Sequence, residues 1–458
     1  MKEVTQFKNK KVCVLGLARS GYHASLLLHE LGAEVIVNDG KTPQDLSDVH
    51  HLEQLGIQVI TGYHPENLLD DTFDYMIKNP GIPYTNVLVK QAKQLAIPIL
   101  TDVELAYLVS QAPILSVSGT NGKTTTTTLL FHMLQHVSEK GQTYLAGNIG
   151  IPSTSVAKQT TAMDTIVMEM SSFQLMGVQT FKPKIAIITN VYSAHLDYHG
   201  NRLEYVQAKL NMIKNQDSTD SLILNGDLEE SYTFAKHSKA KVYYFSKTNT
   251  NEAAYIKDGQ IFVFDEPVLK LSNIQIPGSH NLENILASTL AAKLYGQSNE
   301  QIQQAVYSFQ GVKHRSQYIG TFNGRVVYND SKATNILATQ MALNGFDKQV
   351  VLIAGGLDRG NGFEELVPSL SKVKVMVVYG QTKDKLYQAG KEAHVKNIVK
   401  VDYLEQAVHH AFNVSQEKDV ILFSPACASW DQFSSFEERG DTFIELVNRL
   451  ANKGEDKQ

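Results

Sequence analysis

Cysteine is scarce in this sequence, which has only Cys13 and Cys427 among its 458 residues. The two stand near opposite ends of the chain, and Cys13 lies in an apolar run that is typical of a strand. A disulfide framework or a thiolate metal cage needs several cysteines at short spacings, so the sequence argues against both. We therefore expect a reducing compartment.

Long hydrophobic runs are absent too, because no stretch approaches the ~20 consecutive apolar residues that span a bilayer. The first residues, MKEVTQFKNKKVCVLGL, lead straight into a predicted strand without the small-residue cleavage site of a signal peptide. These features predict a cytoplasmic protein without membrane insertion.

The chain also lacks an excess of positive charge. It has 42 Lys and Arg against 47 Asp and Glu, a formal net charge of -5, and no long basic run. Nucleic-acid binding normally requires a basic patch or stripe, so we expect no nucleic-acid partner.

What the sequence does contain is an alternation of short Val- and Ile-rich runs with segments of helical period, which is typical of α/β proteins with parallel sheets. At ~100–200 residues per domain the length suits two or three domains, and we predict three, over 1–105, 106–310 and 311–458. Residues 242–276 alternate in period two, which is typical of strands, and Lys-Asp-Gly at 257–259 predicts a β-hairpin within them. The predicted strands are 11–15, 34–38, 57–61, 73–77 and 97–100, then 114–118, 165–168, 184–189 and 221–224, and finally 325–328, 350–353, 375–379 and 420–423.

The sequence SGTNGKTT at 118–125 lies between a predicted strand and a predicted helix that begins at Lys123. Backbone N–H groups at such a helix start, with a lysine beside them, bind nucleoside triphosphates. The loop is a shortened form of the usual pattern, whose leading glycine is replaced by Val117. An ordinary Gly-Asn turn is the alternative, but a lysine in the first turn opposes the helix dipole unless an anion lies there. Thr124 is then the natural hydroxyl ligand for Mg²⁺.

An earlier glycine turn, Gly16 to Gly21, follows the first predicted strand, and Asp39 follows the second. The pattern is similar to the dinucleotide-binding fingerprint, except that Ala18 replaces the glycine that lets a pyrophosphate approach. Three interpretations stay open from these residues: a nicotinamide or flavin site, a plain tight turn, or a site for another diphosphate-bearing substrate.

Polar residues follow two further strands of the central domain. Glu169 comes directly after 165–168, while Asn190, His195 and Asp197 come after the next strand. The carboxyl ends of parallel strands form the crevice in which α/β sheets bind ligands, and Mg²⁺ prefers oxygen ligands. A single loop histidine is usually a surface or capping residue, but here its place in the sheet that carries the phosphate loop favours a metal site.

Other polar positions are more ambiguous. Lys209 lies on an amphipathic stretch, which by itself predicts a solvated helical lysine. His280 and Asn281 stand in the first turn of a predicted helix, where they can cap the backbone or contact a base and ribose. The third domain adds dense polar clusters, mostly at strand ends: His314-Arg315, NDSKATN at 329–335, GGLDRG at 355–360 and SPACAS at 424–429.

Taken in order, the segments GTNGKTT, EMSSFQL, NVYSAHLD, GSHNLEN, HR, NDSKATN, AGGLDRG and SPACASWDQF resemble the motifs of the Mur ligase family. The resemblance covers nearly the whole chain, and NDSKATN with SPACASWDQF is most similar to the members that add D-glutamate. It implies a Rossmann-like N-terminal domain that binds a UDP-linked substrate, a central ATP-binding domain of the P-loop ATPase type, and a Rossmann-like C-terminal domain that binds the amino acid.

The resemblance also implies a reaction. Such enzymes use ATP to convert the carboxylate of a UDP-muramyl substrate into an acyl phosphate, which the incoming amine attacks to give an amide, ADP and phosphate. Activation is needed because a carboxylate is inert to amines and phosphorylation supplies a leaving group. We therefore expect a ligase, acting as a monomer, that joins D-glutamate to UDP-N-acetylmuramoyl-L-alanine in peptidoglycan precursor synthesis.

Residue roles around ATP follow from the same resemblance. Thr124 and Glu169 would bind one Mg²⁺ and His195 a second, so that two ions are expected. Lys209 matches the family lysine that is carbamylated, which would turn a cation into an anionic ligand and reverse the local interpretation of this residue. The triphosphate would lie on Gly119, Thr120, Asn121, Gly122, Lys123, Thr124 and Thr125, and the adenine, phosphate and ribose would contact Asn281, Arg315 and Asp330.

The resemblance further implies two substrate sites. Some members offer a lysine to D-glutamate where this chain has Arg359, which would take that role with changed geometry. Cys427 is expected to be a small packed residue, because acyl phosphate chemistry needs no thiol. D-Glutamate would lie near Lys332, Thr334, Ser429 and Phe436, and the UDP-linked substrate near Arg19, Ser20, Asp39, Gly81 and Asn148.

Three other functions stand as alternatives. A folylpolyglutamate-type ligase would share the central domain but would not need the glycine turn at 16–21. A nicotinamide-dependent dehydrogenase would explain that turn and leave the phosphate loop unexplained. A regulatory ATP-binding module would bind ATP without catalysis, which the dense polar clusters disfavour.

Overall fold

A computed structural model describes residues 1–135, 141–149, 151–192, 194–346 and 349–455. The chain forms two compact units, of which the first contains Met1–Leu271 and Glu283–Ala305 and the second contains Ser272–Leu282 and Val306–Gln458. Two sheets lie in the first unit and one in the second. None of the helices within these ranges has the length and apolar character of a membrane span.

The N-terminal elements of the first unit are β1 (Lys11–Leu15), α1 (Arg19–Glu30), β2 (Glu34–Asp39), α2 (Ser47–Gln54), β3 (Gln58–Thr61), β4 (Tyr75–Lys78), α3 (Val87–Gln94), β5 (Ile99–Leu100) and α4 (Asp102–Val109). The strands form a parallel sheet in the order β3-β2-β1-β4-β5. Val14 is in register with Val37 and Ile77, and all three are buried. Because the chain order reverses at β1, the loops after β1 and β4 form the crevice in which such sheets bind ligands.

The second sheet and its helices comprise β6 (Ile114–Ser118), α5 (Lys123–Leu134), β7 (Thr143–Gly147), α6 (Ser153–Gln159), β8 (Thr165–Glu169), α7 (Ser172–Leu175), β9 (Ile185–Ile188), α8 (Leu196–His199), α9 (Arg202–Leu210), β10 (Ser221–Asn225), α10 (Glu229–Ala235), β11 (Lys241–Ser246), β12 (Ala254–Lys257), β13 (Gln260–Val263) and β14 (Glu266–Lys270). The strand order is β14-β13-β12-β11-β10-β9-β6-β8-β7. Val117 is in register with Glu169 on one side and Ile187 on the other. The loops after β6, β8 and β9 therefore meet at one edge of the sheet.

Helix α4 joins the two sheets in sequence, and most of its residues are buried. The buried carboxylate of Glu104 accepts backbone N–H groups from Gln179, Thr180 and Phe181 at 3.0, 2.7 and 3.1 Å. A buried charge is costly unless it is hydrogen-bonded, so these three bonds hold α4 in one position against the segment before β9.

The rest of the chain contains α11 (Ser279–Leu294), α12 (Asn299–Ser308), β15 (Gln317–Phe322), β16 (Arg325–Asn329), α13 (Ile336–Asn344), β17 (Val350–Gly355), β18 (Val373–Tyr379), α14 (Lys383–Glu392), β19 (Asn397–Lys400), α15 (Leu404–Val414), β20 (Val420–Phe423) and α16 (Phe436–Glu455), with 3-10 turns at Leu271–Asn273 and Glu364–Lys372. The third sheet has the order β15-β16-β20-β17-β18-β19. Within this third sheet, among the described residues, only the pairing of β15 with β16 is antiparallel.

The structure confirms the predicted strands, whose ends differ from the observed ones by at most two residues. It also confirms the hairpin: Asp258 and Gly259 join β12 to β13 with φ angles of 50° and 73°, the left-handed geometry that tight hairpins use. Strands β7, β15 and β19 were not predicted from the sequence, and all three lie at sheet edges. Edge strands face solvent on one side and lack the continuous apolar run of a central parallel strand.

Candidate active site

The loop after β6 has the backbone shape of a phosphate cradle. Gly119 and Gly122 have φ angles of 151° and 81°, which side-chain-bearing residues rarely adopt. A Cβ at Gly119 would collide with the hydroxyl of Thr189, and one at Gly122 with the side-chain oxygen of Asn284. The glycines of this loop are therefore required both by conformation and by close packing.

The segment after β9 holds the loop in place. The amide of Thr120 donates to the backbone carbonyl of Asn190 at 2.8 Å, and the amide of Asn121 donates to the Asn190 side-chain oxygen at 2.9 Å. The hydroxyl of Thr189 donates to the Asn121 carbonyl at 2.7 Å. The sequence showed Asn190 only as a polar residue after a strand. The structure shows that Asn190 holds the phosphate loop in its conformation.

Lys123 begins helix α5, and its Nζ donates to the carbonyls of Gly119 and Thr120 at 3.0 and 2.8 Å. Thr124 is half-buried and Thr125 is buried in the same first turn. The N–H groups of a first helical turn have no intrahelical acceptor, and the helix dipole favours an anion there. A lysine folded over these glycines therefore fits a bound polyphosphate better than an ordinary turn.

Glu169 ends β8 and is 2% exposed. Its Oε1 accepts a hydrogen bond from the Asn148 side chain at 2.7 Å, while its buried Oε2 has no hydrogen-bond partner among the described residues. A buried carboxylate oxygen without a donor is costly, and a bound cation would satisfy it. This oxygen fits the predicted Mg²⁺ ligand.

His195 lies between β9 and α8, is exposed and has a φ of 54°. Its ring meets that of Phe173 edge-on with 5.0 Å between centroids. Within the described ranges, no three His, Cys, Asp or Glu side chains form a group that could hold a metal. The magnesium ligands predicted from the sequence are not a group of that kind. They include only one carboxylate, Glu169, and one histidine, His195, together with the Thr124 hydroxyl and a modified Lys209.

Lys209 on α9 is 1% exposed, so the local prediction of a solvated lysine is wrong. Its Nζ donates to the Gly119 carbonyl at 2.7 Å and lies 4.7 Å from the ring centroid of Tyr205. Burial lowers the pKa of Lys209 well below its usual value, the charge of Lys123 lowers it further, and Glu169 opposes both effects. The helical period of the sequence indicated that α9 has an apolar face. It did not indicate that Lys209 is buried against the phosphate loop.

A cavity of about 450 Å³ lies between the crevice of the first sheet and the segments after β7 and β8. It brings together four of the five residues predicted for the UDP-linked substrate: Arg19, Ser20, Gly81 and Asn148. The fifth, Asp39, instead supports the glycine turn, because its Oδ2 accepts the amide of Leu17 at 2.8 Å. Lining residues that the sequence analysis missed include Asn79, Asp102, Ser171, Phe173 and Gln174.

In the second unit, Thr334 and Arg359 line a cavity of about 520 Å³. The Arg359 guanidinium lies 5.1 Å from the ring centroid of Trp430, the single tryptophan of the chain, whose side chain is 64% exposed. The Lys332 ammonium lies 5.3 Å from the Phe436 ring. Ser429 is buried, and so is Cys427, in which burial raises the thiol pKa to about 11, as expected of a packed cysteine.

The three residues predicted around the nucleotide have different surroundings. Asn281 is buried and its side chain donates to the Pro277 carbonyl at 2.6 Å, which ties the first turn of α11 to the segment before it. Asp330 is buried and accepts from the Ser424 hydroxyl at 2.7 Å and the Ser316 amide at 2.9 Å. Burial raises the pKa of Asp330 to about 6, although these bonds and the nearby charge of exposed Arg315 oppose the rise.

Comparisons with known proteins agree with this arrangement. The chain matches the Mur ligase middle domain over residues 117–292 and the Mur ligase, glutamate ligase domain over residues 314–427. A UDP-N-acetylmuramoylalanine--D-glutamate ligase from Ligilactobacillus salivarius is 51% identical over 100% of both chains. A protein of the same name from Enterococcus faecalis is 52% identical over 98% of this chain and 99% of its own.

Solved structures support the fold. UDP-N-acetylmuramate-alanine ligase MurC from Thermotoga maritima aligns with a TM-score of 0.57 and 20% identity, over 96% of this chain and 99% of its own. MurF ligase from the same organism, in complex with ADP, aligns with a TM-score of 0.57 and 15% identity, over 98% and 96%. These likenesses confirm the predicted α/β class with three sheets. Since full-length relatives are more than 50% identical and two family domains match, this chain belongs to the Mur ligase family.

Proposed function

We propose that this chain is an ATP-dependent ligase that joins D-glutamate to UDP-N-acetylmuramoyl-L-alanine and releases ADP and phosphate. Relatives with that name match the full chain at 51% and 52% identity. The structural observation that carries the proposal is the phosphate loop, which contacts buried Lys209 directly and lies at the same sheet edge as Glu169. Through Asn148, Glu169 connects this edge to the 450 Å³ cavity.

The phosphate loop would bind and orient the triphosphate. The glycines bring backbone N–H groups close to the phosphates, and Lys123 would exchange its bonds to loop carbonyls for bonds to the outer phosphate oxygens. Charge develops on the transferring phosphoryl group, so fixed positive charge there lowers the barrier. The phosphorylated carboxylate can then be attacked by the amine of D-glutamate.

The residues that would hold magnesium are Thr124, Glu169, His195 and a modified Lys209, for two ions in all. Bound Mg²⁺ would neutralise phosphate charge and polarise the phosphoryl oxygens. The unsatisfied Oε2 of Glu169 supports this assignment, because it is a buried anionic oxygen at the edge of the sheet that carries the loop.

We further propose that Lys209 is carbamylated. Carbamylation requires a neutral amine to attack carbon dioxide, and burial favours the neutral form of this lysine. The amine would bond to the carbon of carbon dioxide and release one proton, so that a neutral lysine becomes an anionic carbamate, which the nearby charge of Lys123 would attract.

The residues proposed for the UDP-linked substrate mostly precede the phosphate loop in the sequence, and those proposed for D-glutamate follow it. The cavity lined by Arg19, Ser20, Gly81 and Asn148 suits the UDP-linked substrate, with Asp39 shaping the adjacent turn. The C-terminal residues proposed for D-glutamate are Lys332, Thr334, Arg359, Ser429 and Phe436, and those for the nucleotide are Asn281, Arg315 and Asp330. We propose a cytoplasmic location, because ATP and a nucleotide-linked precursor are intracellular substrates. We also propose a monomer, with domain boundaries near residues 105 and 310.

Phosphate release tests this function. The enzyme would be assayed with ATP, Mg²⁺ and UDP-N-acetylmuramoyl-L-alanine, with D-glutamate, L-glutamate, L-lysine or no amino acid. We expect release that depends on D-glutamate alone. Release with another amine would assign the protein to a different step, and release with a pterin substrate in place of the UDP substrate would favour a folylpolyglutamate-type enzyme. No release in any mixture would favour an ATP-binding module.

A further inference from the structure

Lys78, the last residue of β4, is completely buried although it carries a charged side chain. Its Nζ donates to the carbonyls of Asn79, Pro80 and Ile82 at 3.1, 3.3 and 2.7 Å. The Tyr198 hydroxyl lies 3.2 Å from the same Nζ, and because an ammonium has three N–H groups, two of these four acceptors share one donor. The loop after β4 thus wraps around an ammonium as it would around a bound cation. We call this ammonium, its three carbonyl acceptors and the Tyr198 hydroxyl the Lys78 clamp.

The loop sequence Asn-Pro-Gly-Ile-Pro explains why an ammonium determines its shape. Two of the accepting carbonyls, those of Asn79 and Ile82, belong to peptides that precede proline and have no N–H group. The third peptide joins Pro80 to Gly81, and its N–H donates to the Asn79 side chain at 3.1 Å. The Asn79 carbonyl also accepts the Ile82 amide at 3.0 Å, so the lysine adds a second donor there, while Lys78 and Tyr198 supply donors to the carbonyls of Pro80 and Ile82.

Tyr198 connects the clamp to the segment that carries His195. Its hydroxyl lies 3.2 and 2.9 Å from the carbonyls of Pro80 and Ile82, and its amide donates to the His195 carbonyl at 3.1 Å. Its ring packs on Phe173 with 4.4 Å between centroids. Phe173 also lines the 450 Å³ cavity, as do the first three residues of the loop, Asn79, Pro80 and Gly81. One side of this arrangement therefore faces the cavity and the other holds α8.

We propose that Lys78 is a positioning residue, whose clamp fixes the loop at 79–82 against the UDP-linked substrate and couples that loop to His195 through Tyr198. This rests on the proposed function only in the identity of the substrate. Binding of that substrate would depend on the clamp, whereas binding of ATP to the loop at 119–125 would not.

The charge state of Lys78 gives this role a pH signature. Burial lowers the pKa of Lys78 to about 8. The groups that face it are the rings of Tyr84 and Tyr198, whose own pKa values are raised by burial, and exposed Lys93 lies on the Tyr84 ring. Above pH 8 the neutral amine has one donor fewer and no longer attracts the carbonyl dipoles as a cation, so the loop loosens.

The test compares Lys78→Met, which keeps the length of the side chain, with Lys90→Met, an exposed lysine on α3, as the matched control. We expect Lys78→Met to raise KM for the UDP substrate at least about tenfold, with a smaller fall in kcat and KM values for ATP and D-glutamate within about twofold. Tyr198→Phe should change the same parameters in the same direction by less. In the wild type, KM for the UDP substrate should rise above pH 8, and Lys78→Arg should remove that rise because arginine does not titrate there.

Equal losses for all three substrates, or no loss, would overturn the proposal, since a merely structural lysine would not act on one substrate alone. If Lys78→Met does not fold, Tyr198→Phe and the pH profile of Lys78→Arg decide in the same way. Hydrogen exchange of the segment 79–86 in the unliganded protein gives a readout that does not depend on turnover. Faster exchange in Lys78→Met but not in Lys90→Met would support the clamp even if the wild type failed to use the UDP substrate, and unchanged exchange would count against it.

Discussion

The two glycine turns of the first unit, at 16–21 and 119–122, occupy equivalent places in their sheets and differ in charge. Each follows a central strand, β1 or β6, and each has an amide held by a residue that ends or follows a neighbouring strand. In the first turn Leu17 donates to the Asp39 carboxylate at 2.8 Å, and in the second Asn121 donates to the Asn190 carboxamide at 2.9 Å. The first acceptor is an anion and the second is neutral.

This difference shows what decides the ligand of a glycine turn. A carboxylate beside the first turn repels a polyphosphate, whereas the second turn has a neutral acceptor; the helix after each turn begins with a cation, Arg19 in α1 and Lys123 in α5. Topology therefore supplies a crevice in both sheets, and we propose that the neutral acceptor of the second turn favours the triphosphate there. The first turn, with Ala18 at its centre, suits a ligand held beside it in the cavity rather than on its amides.

The largest effect is expected from Lys123→Ala, which removes the positive charge from the second turn. Turnover should fall by about 10³-fold, because the lysine acts on charge that develops during phosphoryl transfer. Measured binding of the UDP substrate, by calorimetry, should be nearly unchanged. Turnover close to that of the wild type would show that the two turns do not differ in the way described.

Lys209→Ala is expected to lower kcat by about 10²-fold, since it removes the proposed metal ligand that contacts the same loop. Short carboxylates such as formate or acetate should restore part of the activity by replacing the lost carbamate. Lys209→Met serves as the folding control and should not lower the melting temperature, because an apolar side chain suits this buried position. An unimpaired Lys209→Ala enzyme would contradict the assignment.

Asn190→Asp would give the second turn the acceptor charge of the first. The amide of Asn121 would keep an acceptor, but the new carboxylate would repel the bound phosphates and would lose the bond from the Asn190 Nδ2 to the Asn121 carbonyl at 3.3 Å. KM for ATP should rise about tenfold, equivalent to roughly 1.4 kcal/mol, while KM for the UDP substrate stays constant. Steady-state kinetics with each substrate varied in turn would measure both KM values. An unchanged KM for ATP would show that the charge of the acceptor does not decide which turn binds the triphosphate.

The reciprocal change, Asp39→Asn, should have the smallest effect. The side-chain oxygen can still accept the Leu17 amide, so only the charge-assisted part of this bond is lost. KM for the UDP substrate should change by about threefold or less, with no change for ATP. If ATP affinity fell instead, the first turn would be the nucleotide site.

The sequence predicted those parts of the fold and the site that depend on local patterns. Central strands have continuous apolar runs, and the Asp258-Gly259 turn follows from backbone conformation alone. The glycine loop at 119–122 and the carboxylate of Glu169 follow strands, so their meeting at one sheet edge also follows from topology.

Burial decided by distant packing could not be predicted in this way. Lys209 has the same place in a helical pattern as a solvated lysine, and only the packing of α9 against the phosphate loop buries it. Lys78 ends a short strand and contacts Tyr198, which lies 120 residues later in the chain. The residues next to Lys78 in the sequence therefore do not indicate the Lys78 clamp. The sequence carried one unused signal, a lysine at the end of a buried strand before Asn-Pro-Gly.

The contact between Arg359 and Trp430 has an optical consequence. Because Trp430 is the single tryptophan, tryptophan emission from the whole chain reports on one exposed ring beside a residue proposed to contact D-glutamate. A ligand that draws the guanidinium off the indole changes the surroundings of the ring, and so the intensity and colour of its emission. The protein thus carries a built-in probe for titrating its amino-acid substrate without a label.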